Sequence, residues 1–268
     1  MIKCKSDPNT TKPSVRSDTP RITTAGAMLL ALDKHVLKTL LIALALITLP
    51  PSIVANAASV YSDDASNYTD SYAGKNAGMG FGPFIVVAEN GKPPYSGTFL
   101  ASAGGTEKNQ GNPSPSSINT NGHAFGFYAN GGATASVMVE RAFKNRMQTT
   151  GDSFSINFVT GLNDSGVVGI TLYTDNGNVG TFSFAAGSGY KFGGKQAAAV
   201  FRPGALHLQW KIISPGHLAF TCSGALSYSG LGAFSGSIVG FKVYSTNSGQ
   251  GGSDHDGYFN SMSETVQP

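Results

Sequence analysis

Apolar and polar residues alternate with a period of two through most of the chain beyond residue 78. Phe154, Ile156 and Phe158 alternate with Ser153, Ser155 and Asn157, and Leu206, Leu208, Trp210 and Ile212 with His207, Gln209 and Lys211. Val239, Phe241 and Val243 alternate with Gly240, Lys242 and Tyr244. Successive side chains of an extended chain point to opposite faces, so each run describes a strand with one face in a core and one in water. Asn90-Gly91, Asn121-Gly122, Asn163-Asp164-Ser165-Gly166, Asp175-Asn176-Gly177-Asn178 and Ser214-Pro215-Gly216 fall between such runs. Asn-Gly and related pairs accept positive φ and close hairpins. The best helical candidate, residues 135–148, reads better as a strand through Val137, Val139, Arg141 and Phe143. About a dozen strands and no convincing amphipathic helix predict an all-β protein, a sandwich or a barrel. Trp210 stands in phase with its apolar neighbours and is expected in the core. So is Cys222, which shares a face with Leu218 and Phe220.

Composition divides the chain. Residues 1–57 hold seven Lys/Arg against three Asp/Glu and no aromatic residue, whereas residues 58–268 hold eleven against twelve. The basic balance of the whole chain therefore belongs to its first part, and the nearly neutral remainder offers no clustered cations for nucleic acid. Residues 40–49 form a short apolar run after Lys34 and Lys38, and Ala55-Asn56-Ala57 follows as a small-x-small motif. A signal peptide over 28–57 is expected, cleaved after Ala57, because a membrane span needs about 20 apolar residues. Residues 1–27 read either as an overlong start or as a disordered extension. Residues 58–268 then form one secreted domain, extracellular or periplasmic, with no membrane span after cleavage. Glycine, 35 of 268 residues, is about twice its usual share of roughly 7%. The segment 103–117, rich in Gly, Pro and Ser, is expected as a surface loop.

Several short stretches resemble one another's counterparts in a known type of module. Ser62-Asp63-Asp64-Ala65-Ser66-Asn67-Tyr68 is followed by Gly78-Met79-Gly80-Phe81-Gly82-Pro83-Phe84, then by Phe125-Gly126-Phe127-Tyr128-Ala129-Asn130. Gly151-Asp152-Ser153-Phe154-Ser155 and the closing Tyr258-Phe259-Asn260-Ser261-Met262 complete the set. Together they resemble a laminin-G/concanavalin-like jelly-roll module of secreted bacterial proteins. The resemblance implies a two-sheet antiparallel β-sandwich, found alone or beside carbohydrate-active enzymes, and supplies no catalytic residues.

The chemistry-bearing residues are sparse. Sandwich glycosidases set paired carboxylates on one strand, but Glu89, Glu107, Glu140 and Glu264 have no carboxylate partner at i+2 or i+4. Glu140 is expected in a strand-surface charge pair. His123, His207, His217 and His255 show no metal-ligand spacing. Asp254 and Asp256 stand at i and i+2 in a Gly-flanked loop, and Asp63 and Asp64 just precede the resembling first strand. If chain ends are neighbours, these four could supply a structural calcium ion with oxygen ligands; solvated turn acids are the other reading. Tyrosines in loop-like segments, Tyr68, Tyr72, Tyr95, Tyr190 and Tyr228, are the candidates for stacking on sugar rings. The reading favours a non-catalytic module for an extracellular glycan or matrix component. A structural scaffold and a polysaccharide hydrolase or lyase with dispersed carboxylates are the alternatives.

Overall fold

The computed structural model describes residues 57–89, 95–102, 115–249 and 252–268. The expected leader, the turn at 90–91 and most of the loop at 103–117 lie outside the described residues. Along the chain run β1 (Ser59–Asp63), β2 (Phe81–Glu89), β3 (Ser96–Ser102), β4 (His123–Ala129), β5 (Ser136–Met147), β6 (Ser153–Val159), β7 (Val167–Thr174) and β8 (Gly177–Ala185). They are followed by β9 (Gly189–Phe192), β10 (Lys195–Ala198), β11 (Leu206–Ser214), β12 (His217–Gly224), β13 (Tyr228–Ala233), β14 (Ile238–Thr246) and β15 (Gly257–Val266). The described helices are three-residue 3-10 turns, none long enough to cross a membrane.

All ladders are antiparallel, in two sheets. Sheet A runs β13-β12-β11-β6-β15-β4-β3, with β1 paired to the second half of β15. Sheet B runs β10-β9-β8-β7-β14-β5-β2. The fold is thus the expected two-sheet β-sandwich. Its strands exceed a dozen because Gly187, Gly189, Gly193 and Gly194, all at positive φ, break the stretch after β8 into short pieces.

The core lies between the sheets. Phe154 of β6 stacks on Phe241 of β14 at 4.9 Å, and Phe220 of β12 on Phe192 of β9 at 4.2 Å. Trp210 is fully buried, worth about 1.5–3 kcal/mol for a side chain of this kind. Its Nε1 donates across the sandwich to Gly180 O at 2.7 Å. Gly180 has φ 60° and bulges β8 toward the indole; a β-carbon there would come 2.8 Å from Nε1. Cys222 is buried as expected, and burial pushes its thiol up to about 12.

Bulges overturn the alternation in β14 and β15, among other strands. Between Ile238 and Gly240 the ladder shifts, so Ile238 rather than Val239 joins the core. At Ser261, in left-handed φ (51°), β15 reverses its facing: Met262 and Glu264 turn inward. Glu264 is fully buried with neither carboxyl oxygen hydrogen-bonded. Burial, reinforced by the neighbouring Asp152 charge, pushes its carboxyl up to about 8. Arg141 keeps the core phase predicted for β5 and is fully buried. It bonds Asp63 Oδ2 at 2.5 Å, Gly82 O at 2.9 Å and Asn76 Oδ1 at 2.9 Å, with its guanidinium 4.1 Å from the Phe84 ring centre.

Candidate functional site

The antiparallel register of sheet B decides which side chains reach its outward face. On β5 the core takes Val137, Val139, Arg141 and Phe143, leaving Met138 and Glu140 outside. Pairing with β14 then sets Tyr244 beside Met138 and Lys242 beside Glu140. Pairing with β7 sets Gly169 opposite Tyr244, Thr171 opposite Lys242, and Tyr173 opposite Gly240. Each tyrosine therefore faces a glycine on the adjoining strand, in opposite senses, and the two pairs stand about 13 Å apart along the strands.

The glycines let the side chains lie down. A β-carbon at Gly240 would come 2.5 Å from the Tyr173 hydroxyl and 2.7 Å from its ring. One at Gly169 would come 2.7 Å from the Tyr244 hydroxyl. Tyr173 hydrogen-bonds Glu140, and Tyr244 hydrogen-bonds Ser183 of β8. Burial, and for Tyr173 also the Glu140 carboxylate, holds both phenols above the usual tyrosine range, so both stay protonated donors at neutral pH. The Lys242 ammonium lies 3.2 Å from Glu140 Oε2 and 4.7 Å from the Tyr173 ring centre. The charge pair expected at Glu140 thus forms with its cross-strand neighbour. A depression of about 210 Å³ opens here, lined by Met138, Thr171, Asn178, Thr181, Lys242 and Tyr244. Thr171 and Thr181 share a hydroxyl–hydroxyl bond of 2.8 Å in its floor.

Three tyrosines expected at a sugar site are core residues instead. Tyr68 is 3% exposed, donating to Asp63 Oδ2 at 2.7 Å, and burial pushes its phenol up to about 12. Tyr72 is fully buried against Phe84 and Phe125 and donates to Gly126 O. Tyr190 is fully buried with its hydroxyl 2.8 Å from Thr160 Oγ1. Segments without strand alternation still fold onto the core, and a tyrosine there buries its ring once its hydroxyl finds a partner. Tyr228 is half-buried against Phe192 and Phe220. Tyr95 remains exposed, its Cβ crowding Gly131. Tyr173 and Tyr244 were reachable from sequence by a different signal: a tyrosine in the polar phase of a strand.

The four aspartates expected to share calcium are not brought together. Asp63 opposes Met262 near the middle of β15, whereas Asp256 precedes that strand, roughly 15–20 Å away at the rise of a strand. Asp63 is taken up by Arg141, Tyr68 and Asn67. Asp64 caps the 3-10 turn Ala65–Asn67 through Ser66 N at 2.8 Å and accepts from Thr120 Oγ1. Asp254 lies 3.0 Å from His255 Nδ1, whose Nε2 lies 2.9 Å from Asp164. Asp256 accepts from Asn130 Nδ2 at 3.0 Å, and burial pushes its carboxyl up to about 7. The first pair ties the N-terminal segment to the core and the second ties loops together. Among the described residues no three His, Cys, Asp or Glu side chains gather as a metal site.

Neither a family model nor a curated protein sequence matches the chain. Among solved structures it is similar to arcelin-5, a lectin-like defense protein from Phaseolus vulgaris, at 10% identity and TM-score 0.35, covering 78% of this chain and 98% of that one. It is similar to the alginate lyase from Corynebacterium sp. at 16% identity and TM-score 0.32, covering 62% and 74%. A lectin from Bauhinia forficata in complex with GalNAc gives 13% identity and TM-score 0.31, covering 63% and 97%.

Proposed function

We propose that the protein is a secreted, non-catalytic glycan-binding domain that takes sugar rings on the outward face of sheet B. The observation that carries this reading is the pair of half-buried tyrosines laid against facing glycines, with hydroxyl and amide side chains between them. A pyranose ring has an apolar C–H surface and a rim of hydroxyls. A neutral aromatic side chain lying low on a sheet suits the first, and Asn178, Thr181 and Lys242 suit the second. Both phenols are pinned, Tyr173 by Glu140 and Tyr244 by Ser183, so little side-chain entropy remains to be lost on binding.

A non-catalytic role fits the charges on this face. Glycoside hydrolysis by two carboxylates needs a pair about 5–9.5 Å apart. Glu140 is held by Lys242 and Tyr173, and no carboxylate lines the depression. The apolar run and small-x-small motif ahead of residue 58 support export. Retention on immobilised polysaccharides tests the reading: the wild-type protein is expected to be retarded by at least one of them, and Tyr244→Ala to run free. Failure of every polysaccharide to retard the wild type would overturn it in favour of a scaffold.

A further inference from the structure

A second depression, about 320 Å³, adjoins the first and shares Asn178 with it. Its walls are the β7–β8 turn, with Thr174, Asn176 and Asn178, and the segment just after β13, with Phe234 and Ser235. The two depressions meet at Asn178, which pairs with Tyr173 across the β7–β8 ladder.

The walls are fastened before any ligand arrives. Asn176 N donates to Thr174 Oγ1 at 3.1 Å, and Asn176 Nδ2 to Ser235 Oγ at 3.3 Å, joining the turn to the end of β13. The turn's one carboxylate, Asp175, is paired with Arg146 at 2.6 Å and does not line the depression. The remaining lining is chemically distinctive. Amides and hydroxyls, with Val179 and Ala233, surround the half-buried Phe234, and no ionisable side chain is among them. In the first depression the one cation, Lys242, already has a carboxylate partner.

Resting on the glycan-binding reading, we infer that the second depression is a further subsite of the same track, and that the ligand is an uncharged polysaccharide gripped along its length. Its path runs from Tyr244 past Lys242 and Tyr173 to Asn178, then over the β7–β8 turn to Phe234. An open face that continues past the sheet edge takes an internal stretch of chain, whereas a terminal sugar needs a closed end. Neutral hydroxyls match a lining of amides and hydroxyls. A uronate chain would set carboxylates against two linings whose one cation, Lys242, is already paired, at a desolvation cost that the linings do not offset.

Size-graded oligosaccharides of glucan, xylan, mannan and galactan, with alginate and pectin as the charged set, test this by titration calorimetry. The expected result is binding to one neutral ladder, with affinity rising about tenfold from trisaccharide to hexasaccharide. Phe234→Ala is expected to remove that rise while leaving the trisaccharide unchanged. Because Phe234 also touches the core, Asn176→Ala provides a second variant at an exposed position, expected to act the same way to a smaller degree. Equal affinity for tri- and hexasaccharide, equal losses for both lengths in these variants, or preference for the charged ladders would overturn the subsite. Absence of any binding at any length would instead overturn the glycan-binding reading itself.

Discussion

Both outer faces of the sandwich carry aromatic side chains laid against a glycine of the next strand, and the two faces leave them in different surroundings. On sheet A, Phe99 of β3 covers Gly126 of β4, where a β-carbon would come 2.4 Å from its ring, and Tyr128 covers Gly97. Beside them Tyr258 is 5% exposed, 6.0 Å from Phe99, in a small cluster closed by Ile118. The segment bearing Ile118 is held down by Asn260, whose amide donates to Ile118 O, Thr120 Oγ1 and His123 O. On sheet B, Tyr173 and Tyr244 follow the same rule of register, and Tyr244 lines an open depression. Strand pairing alone decides which ring meets which glycine. Whether the surface beside that ring is closed or left open is decided by a separate covering segment.

Substitutions at Asn260 should break the covered face with the largest effect on stability. Asn260→Ala removes the partner of Ile118 O and the side-chain acceptor of the Ala65 and Ser261 amides, each orphan costing about 1–3 kcal/mol. A loss of roughly 3 kcal/mol or more in chemical denaturation is expected, with dye binding at the uncovered rings and no change in glycan affinity at fixed folded fraction.

The glycines beneath the open face come next. Gly240→Ala sets a β-carbon 2.5 Å from both Arg141 O and the Tyr173 hydroxyl, so backbone or ring must shift, at about 1–3 kcal/mol. It should weaken glycan binding as well, because the ring is lifted. Gly126→Ala, with the same crowding against Phe99, should cost stability alone. Equal effects on binding from the two would erase the distinction between the faces.

Acid–base behaviour should single out the interior beneath both faces. Glu264 has its folded value raised from 4.5 to about 8, so its contribution is fully present below pH 4.5 and is lost as pH rises through 8. Stability should therefore fall from pH 5 to pH 9, and Glu264→Gln should flatten that slope and raise stability at alkaline pH. A wild-type slope unchanged by this substitution would contradict the burial of Glu264 as an unpartnered acid.

Much of the fold was legible because β6, β11 and β12 keep strict alternation and bury every predicted residue, Trp210 and Cys222 included. The bulges at Val239 and Ser261 were not legible, since one extra residue reverses the facing without leaving a mark in composition. Arg141 is instructive: the phase of Val137, Val139 and Phe143 places it inward, and its partner Asp63 lies 78 residues away. The burial of Tyr68 and Tyr72 was not legible for a physical reason: loop-like sequence does not imply exposure, and the segment holding them packs onto Phe84 and Phe125. Tyr244, in phase with Gly240 and Lys242 on a polar strand face, was legible as outward; its glycine partner on β7 required the register.

The smallest stability effect and the largest functional one should coincide in the double variant Tyr173→Ala/Tyr244→Ala. Titration of wild type and double variant with the polysaccharide that the wild type retains, alongside thermal unfolding of both, addresses the central claim most directly. The account predicts saturable wild-type binding, a loss of tenfold or more in the variant, and unfolding free energies within about 1 kcal/mol of each other. Undiminished binding by the double variant would contradict it.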